Sequence, residues 1–251
     1  MEPLQLEDLW LLDLGLYLPE ARALAIADLH LGYEEALTED GVLVPRTHLA
    51  RLEARLEAIL EALNAAGGQP EVLVINGDLK HHFGPLAPRE WEEVHEFLKF
   101  AADRVAEVVL IKGNHDTNLE YLAAKLSGTR FVEYLKLGEF LFIHGDLVPE
   151  EGLLEGVEMI IIGHEHPAVG LRSPVTGRVE VFKAFLLGEW HDKHLLVQPS
   201  FNLLVKGTDL TQEATISPLL AEVELETFQV FLVGDEGRIY PFAALKALLP
   251  A

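Results

Sequence analysis

A chain of 251 residues, 49% of them apolar, has enough material for a sizeable buried core, and it carries 41 acidic against 19 basic side chains for a formal charge of −22. So acidic a surface repels long polyanions and disfavours a processive, groove-wrapping DNA binder. With no cysteine, disulfides and thiolate metal sites are excluded, and any metal must be held by imidazole, carboxylate or amide oxygen.

The first residues, Met1-Glu2-Pro3-Leu4-Gln5-Leu6-Glu7-Asp8, are acidic and lack the basic start of a signal peptide. No run approaches the ~18 apolar residues of a membrane span, so a soluble, cytoplasmic chain without a membrane partner is expected. Trp10–Leu18 and Ala21–Ala27 read as two strands joined at Pro19-Glu20. Thr47 to Ala66 reads as a helix: Thr47 can cap it, Leu49, Leu52, Leu56, Ile59, Leu60 and Leu63 recur at helical spacing, and Gly67-Gly68 stops it. Strand Val72–Ile75, helix Pro88–Val105, strand Val108–Ile111 and a shorter helix Leu119–Leu126 follow. This alternation implies a mostly parallel sheet with crossover helices. Beyond it the pattern turns strand-rich, with Phe131–Leu135, Phe140–Ile143, Met159–Ile162, Val179–Leu186, Leu195–Val197 and Phe228–Val233, then a helical period over Pro241–Leu249. A second, more antiparallel sheet packed on the first is expected, all within one domain over residues 1–251.

Five short segments stand where apolar strands end: Asp28-Leu29-His30, Gly77-Asp78, Gly113-Asn114-His115-Asp116, His144-Gly145-Asp146 and Gly163-His164-Glu165-His166. Strand ends deliver side chains to one sheet edge, where sites of α/β proteins tend to lie. Asp28 and His30, two apart on an extended strand end, are expected to point the same way and to grip one cation; the same alternation applies to His164 and His166. Taken alone, a DxH pair or an Asp after Gly is ordinarily a turn or a cap. Five clusters in this order instead point to a two-metal phosphoester hydrolase, in which the carboxylate of Asp78 can bridge both ions. Asn114 is a ligand candidate through its amide oxygen, with a helix cap as its ordinary role. The helical zinc-protease spacing is absent.

On these motifs the chain resembles the calcineurin-like metallophosphoesterase superfamily, whose pattern of DxH, GDxx(D/N/H), GNH(D/E), a lone His after a strand and GHxH is matched in order over roughly residues 23–170. One departure is that Ile143, not Gly, precedes His144. The resemblance implies a four-layer α/β/β/α sandwich of two mixed β-sheets flanked by helices. It implies one metal held by Asp28, His30, Asp78 and His166 and a second held by Asp78, Asn114, His144 and His164. In such sites two cations share a bridging hydroxide that attacks phosphorus in line with the leaving oxygen. His115 would sit beside the leaving group and Asp116 would orient its ring. His81, three residues after Asp78, resembles a substrate-contacting histidine in the nuclease subunit of the double-strand-break repair complex and favours diesters. The stretches Asp28–Glu34, Gly77–His81 and Gly163–Pro167 are similar to the ligase- and helicase-associated branch, described as Mn-dependent phosphodiesterases or DNA endonucleases.

The expected activity is therefore dinuclear phosphodiester hydrolysis, nuclease action included, on a nucleotide or short nucleic acid. Two divalent ions serve it, Mn²⁺ first among Mn, Fe, Zn, Ni, Co and Mg. The alternative is a phosphomonoesterase or nucleotide pyrophosphatase on the same site; an inactive protein-binding scaffold is less favoured because every ligand position is filled. Arg46, His48, His82, Arg172, Lys183, His191 and His194 remain unassigned, with Arg46 and Arg172 the candidates for a phosphate contact. The strands between Phe182 and Val205 offer an edge for a homodimer.

Overall fold

The computed structural model describes residues 1–85 and 87–249. Short apolar runs build a first sheet in chain order: β1 (Leu4–Gln5), β2 (Trp10–Leu12), β3 (Gly15–Leu18), β4 (Ala23–Ile26), β5 (Val72–Asn76), β6 (Glu107–Ile111) and β7 (Thr129–Val132). Pairing is antiparallel from β1 to β4 and parallel from β4 to β7. Helices α1 (Tyr33–Glu39), α2 (His48–Ala65), α3 (Pro88–Ala102) and α4 (Glu120–Ala123) occupy the crossovers that parallel pairing requires. Leu52, Leu56, Ile59 and Leu63 of α2, with Val94, Phe97, Leu98 and Ala101 of α3, are buried in one core with this sheet.

The second sheet contains β8 (Leu135–Leu137), β9 (Phe140–Phe142), β10 (Met159–Ile162), β11 (Pro167–Arg172), β12 (Val179–Trp190), β13 (Lys193–Val197), β14 (Thr208–Asp209), β15 (Gln229–Val233) and β16 (Ile239–Ala244). Its order is β14-β11-β12-β13-β10-β9-β8, with β15 paired to β12 and β16. β9, β10 and β13 run parallel while β12 is antiparallel to β11, β13 and β15, so this sheet is mixed. Phe142, Ile161, Phe185, Leu196 and Phe231 join the core of the first sheet. On the outer face Leu141, Ile160, Leu195 and Val230 meet Leu219, Leu220 and Leu245, so the last layer is built of 3₁₀ turns rather than long helices. The α/β/β/α sandwich of two mixed sheets is thus in place. Among the described residues no helix is long and apolar enough to cross a membrane.

Asn76 and Gln198 join the two sheets. Asn76 Nδ2 donates to Ile161 O at 3.3 Å and to Gln198 Oε1 at 3.2 Å, and Gln198 Nε2 donates to Ala25 O at 3.2 Å. Buried amides used this way fix the mutual position of the sheets at the ends of β4, β5 and β10.

Several elements differ from the sequence reading. Trp10–Leu18 is itself a hairpin, turned where Asp13 adopts φ 54° and binds Arg55. The helical period over Pro241–Leu249 is not used: β16 covers Ile239–Ala244 as the last strand beside β15, a place where proline's missing N–H costs no ladder bond. Thr47 caps nothing with its hydroxyl; Glu34 Oε1 instead accepts Thr47 N and His48 N, each at 2.9 Å. The helix expected over Leu119–Leu126 shortens to α4. Leu186 and Leu187 of β12 and His194–Val197 of β13 have strand partners on both sides, so this part of the Phe182–Val205 stretch offers no free edge.

Candidate metal centre

The five segments converge at one end of the sandwich, but not by strand alternation. β4 ends at Ile26, β5 at Asn76 and β10 at Ile162, and beyond them Asp28, His30, Asp78, His164 and His166 take φ of 55°, 50°, 46°, 62° and 51°. Half of the ten non-glycine residues with positive φ are therefore candidate ligands. Each such residue costs about 1–3 kcal/mol, which surrounding contacts must offset. The expectation that Asp28 and His30, or His164 and His166, share a side because they lie on extended strand is thus corrected. Left-handed turns aim them, held by Asp28 N donating to Gly77 O (3.1 Å), His30 N to Asp78 O (2.9 Å) and His164 N to Asp28 Oδ2 (3.1 Å). Two glycines make room. A Cβ on Gly77, itself at φ 83°, would lie 2.0 Å from His144 Nδ1, and one on Gly113 would lie 2.2 Å from Asp78 Oδ1.

Two donor groups result. Asp28, His30 and His166 form one; Asp78, His144 and His164 form the other. His30 Nε2 and His166 Nε2 stand 3.3 Å apart, and His166 Nε2 is 3.6 Å from Asp28 Oδ1. In the second group Asn114 Oδ1 lies 3.0 Å and Asp78 Oδ2 3.4 Å from His144 Nε2. Asp78 Oδ2 is also 3.8 Å from His30 Nε2, so one carboxylate oxygen faces both groups. Asn114 caps no helix, since the nearest one begins past Leu119.

The electrostatics suit cations. Burial would raise the carboxyls of Asp28 and Asp78, yet the histidines beside them hold both below the usual carboxylate range. Burial and the neighbouring His166 push His30 down to about 3, and burial with His144 lowers His164. His144 goes the other way: burial opposes its charge, but Asp78 and Asp28 lift it to about 9. Two neutral imidazole nitrogens repel each other at 3.3 Å unless a proton or a cation lies between them. Nitrogens each about 2 Å from one ion would sit roughly 3–3.5 Å apart. The donors present therefore fit two divalent ions with N and O ligands.

His115 lies beside these groups. Its backbone N donates to Asp78 Oδ1 at 2.9 Å, and its Nε2 is 3.8 Å from Asp78 Oδ2. Asp116 does not orient its ring: the Asp116 carboxylate accepts Gly113 N (3.0 Å) and Lys80 N (3.3 Å), and burial next to Asp78 raises it to about 7. The ring is held instead by the His81 carbonyl, which takes Nδ1–H, and by Phe83, stacked at 3.7 Å between centroids. His81 packs edge-on against Tyr33, and burial with His115 and His82 pushes its imidazole to about 4.

Glu90 is a residue the sequence reading missed. Fully buried at the start of α3, its Oε1 accepts His81 N (3.0 Å), His82 N (2.9 Å) and His82 Nδ1 (3.2 Å), which fixes the loop carrying His81 and Phe83. Lys80, also buried, binds the carbonyls of His82 and Gly84 from inside that loop. We expect Glu90→Ala to lower turnover about 10–100-fold with metal content unchanged, and Glu90→Gln, which keeps one acceptor oxygen, to restore most of it. Steady-state kinetics beside elemental analysis reads both; wild-type turnover in the Ala variant would remove this role.

The remaining expectations fall outside the centre. Arg46 pairs with Glu35 at 3.2 Å. Arg172 ends β11, five residues and roughly 17 Å of strand beyond Pro167, where it binds Gly177 O. His82 is taken by Glu90 and Glu39, and His48 Nε2 lies 3.3 Å from Leu29 O. His191 sits near Glu222 on the surface, and His194 is exposed at the start of β13.

A double sheet with imidazole and carboxylate groups gathered at its strand ends defines a metal-dependent hydrolase of ester bonds. Residues 21–154 match the family model of calcineurin-like phosphoesterases, and the chain belongs to that family. The family generally uses two divalent metals. The crystal structure of Pseudomonas putida nuclease MPE aligns with a TM-score of 0.65 and 26% identity over 96% of this chain and 99% of that one. The cAMP/cGMP dual specificity phosphodiesterase MT0825 of Mycobacterium tuberculosis is 41% identical over 66 residues. That match spans 26% of this chain and only 20% of the relative's length.

Proposed function

We propose that the chain is a two-metal phosphodiesterase acting on nucleotides or short nucleic acids, with Asp28, His30, Asp78 and His166 around one ion and Asp78, Asn114, His144 and His164 around the other. The observation that carries this is the shared carboxylate: Asp78 Oδ2 faces His30 and His144 at 3.8 and 3.4 Å. When bound, the ions supply positive charge to phosphate oxygens and acidify water. Mn²⁺ suits a donor set of imidazole, carboxylate and amide oxygen without thiolate.

The chain's own side chains divide the remaining work. His115, with Nδ1–H on the His81 carbonyl, turns Nε2 toward the cluster, where it can hold a proton for the leaving oxygen. His81 flanks the same space and favours a diester's second oxygen substituent. Apolar surface lies on the substrate's way in. Phe83 is 62% exposed over His115, and a cavity of about 670 Å³ beside Asn114 and His144 is walled by Tyr134, Leu147 and Val148, all exposed. The aromatic rings of Phe83 and Tyr134 can stack bases. The nuclease that aligns over nearly the whole chain supports the same substrate class, and the charge of −22 favours short substrates.

Metal-stripped protein given back Mn²⁺ should hydrolyse bis-p-nitrophenyl phosphate at least tenfold faster than the monoester, and His81→Ala should narrow that ratio. Monoester preference in the wild type would replace this reading by a phosphomonoesterase; no turnover with any of Mn, Fe, Zn, Ni, Co or Mg would remove it.

A further inference from the structure

A second cavity, of about 630 Å³, shares no residue with the candidate ligands, although one of its residues, Lys183, binds Ser200, whose hydroxyl donates to Asp28 O. Four of the chain's 19 cationic side chains line it: Arg51, Arg55, Lys183 and Lys206. Arg55 is spoken for, because its guanidinium binds the buried carboxylate of Asp13. Arg51, Lys183 and Lys206 are different: among the described residues none has a carboxylate within 4 Å, although the chain holds 41 of them. Two acids, Glu180 and Asp235, also stand at the wall, and burial pushes the Lys183 ammonium down to about 7, so the cavity offers N–H donors rather than an excess of fixed positive charge.

Lys183 reaches this cavity from the middle of β12. Its Nζ donates to Ser200 O at 2.8 Å, which uses one of three N–H groups. Lys206 Nζ donates to Val181 O at 3.3 Å, while Arg51 makes no side-chain hydrogen bond among the described residues; both are exposed at the rim. Converging donors without anionic partners, in a cavity of ligand size, suit a compact anion with several acceptor oxygens. Phe182, Leu203 and Val205 add an apolar wall that can take an attached organic group.

We propose that this cavity is a second binding site, built from residues other than those of the metal centre, for a small phosphate-bearing anion, either inorganic phosphate or a nucleotide.

The test is titration of metal-loaded protein with 5′-AMP and with inorganic phosphate, followed by calorimetry and by amide NMR shifts. Wild type should show two classes of site, one of them shifting Leu203 and Val205. Asp78→Asn, which disturbs the metal centre, should keep that class. Arg51→Glu with Lys206→Glu, both at exposed positions, should weaken it at least tenfold with an unchanged circular dichroism spectrum. AMP binding tighter than phosphate assigns the apolar wall to a nucleoside, and equal binding assigns the site to phosphate itself; either supports the proposal. Loss of all binding in Asp78→Asn, or unchanged binding in the charge-reversed variant, overturns it. Neither result bears on the hydrolase reading, which is decided by turnover alone.

Discussion

Asp78→Asn should reduce diester hydrolysis on the order of 10³-fold and leave at most one metal ion per chain where the wild type holds two. The side chain has three tasks at once. Oδ2 faces His144 Nε2 at 3.4 Å and His30 Nε2 at 3.8 Å, while Oδ1 accepts the backbone N–H of His115 at 2.9 Å. Asn fills the same volume and can keep the bond to His115, so the loop geometry survives while the charge is lost. Asp28 is then the one remaining anion among the seven candidate ligands, facing two dications. Elemental analysis and steady-state kinetics read the two effects. In the metal-free protein Asp78 is one of the two carboxylates that lift buried His144 to about 9, so Asn should lower metal-free stability, and unfolding of the metal-free forms separates that cost from the loss of metal. Two tightly held metals together with near-normal turnover would show that Asp78 bridges nothing.

The residues of the candidate site were legible because each follows an apolar run, and strand termini carry side chains to a sheet edge whatever the tertiary detail. How they point was not legible. Asp28, His30, Asp78, His164 and His166 adopt left-handed backbone, a minority conformation even for Asp and His, which visit it more often than most residues. What holds them there are hydrogen bonds to segments far away in sequence, such as His164 N to Asp28. Adjacency misled in the same way: Asp116 follows His115, yet its carboxylate turns back to Gly113 and Lys80. Glu90 reads as an ordinary acid in the first turn of a helix, and only the fold brings His81 and His82 above it. The anion cavity draws on Arg51, Lys183 and Lys206, which no local pattern connects. At the end of the chain, apolar residues at helical spacing after Pro241 were outweighed by the open side of β15, which gains strand bonds by pairing with them despite a register shift between Gln229 and Phe231.

His115→Ala should leave two metals bound and lower turnover by an amount set by the leaving group. If Nε2 delivers a proton to the departing oxygen, a p-nitrophenolate, which is weakly basic, needs little help and the loss stays small. A nucleoside alkoxide is strongly basic, and there the loss should reach about 10²–10⁴-fold. The geometry supports this assignment over a purely steric one. Nδ1–H is committed to the His81 carbonyl, Phe83 covers one face of the ring at 3.7 Å, and the free Nε2 lies 3.8 Å from Asp78 Oδ2, facing the cluster. His115 is also tied to the cluster by its backbone N–H, which the Ala variant retains, so metal content isolates the side chain's contribution. The measurement is kcat/KM for a series of diesters of graded leaving-group basicity in both proteins. A loss that steepens with basicity identifies the proton donor. A loss of equal size across the series would make His115 a positioning residue for the phosphate, and would move the search for the donor to His81 on the neighbouring loop.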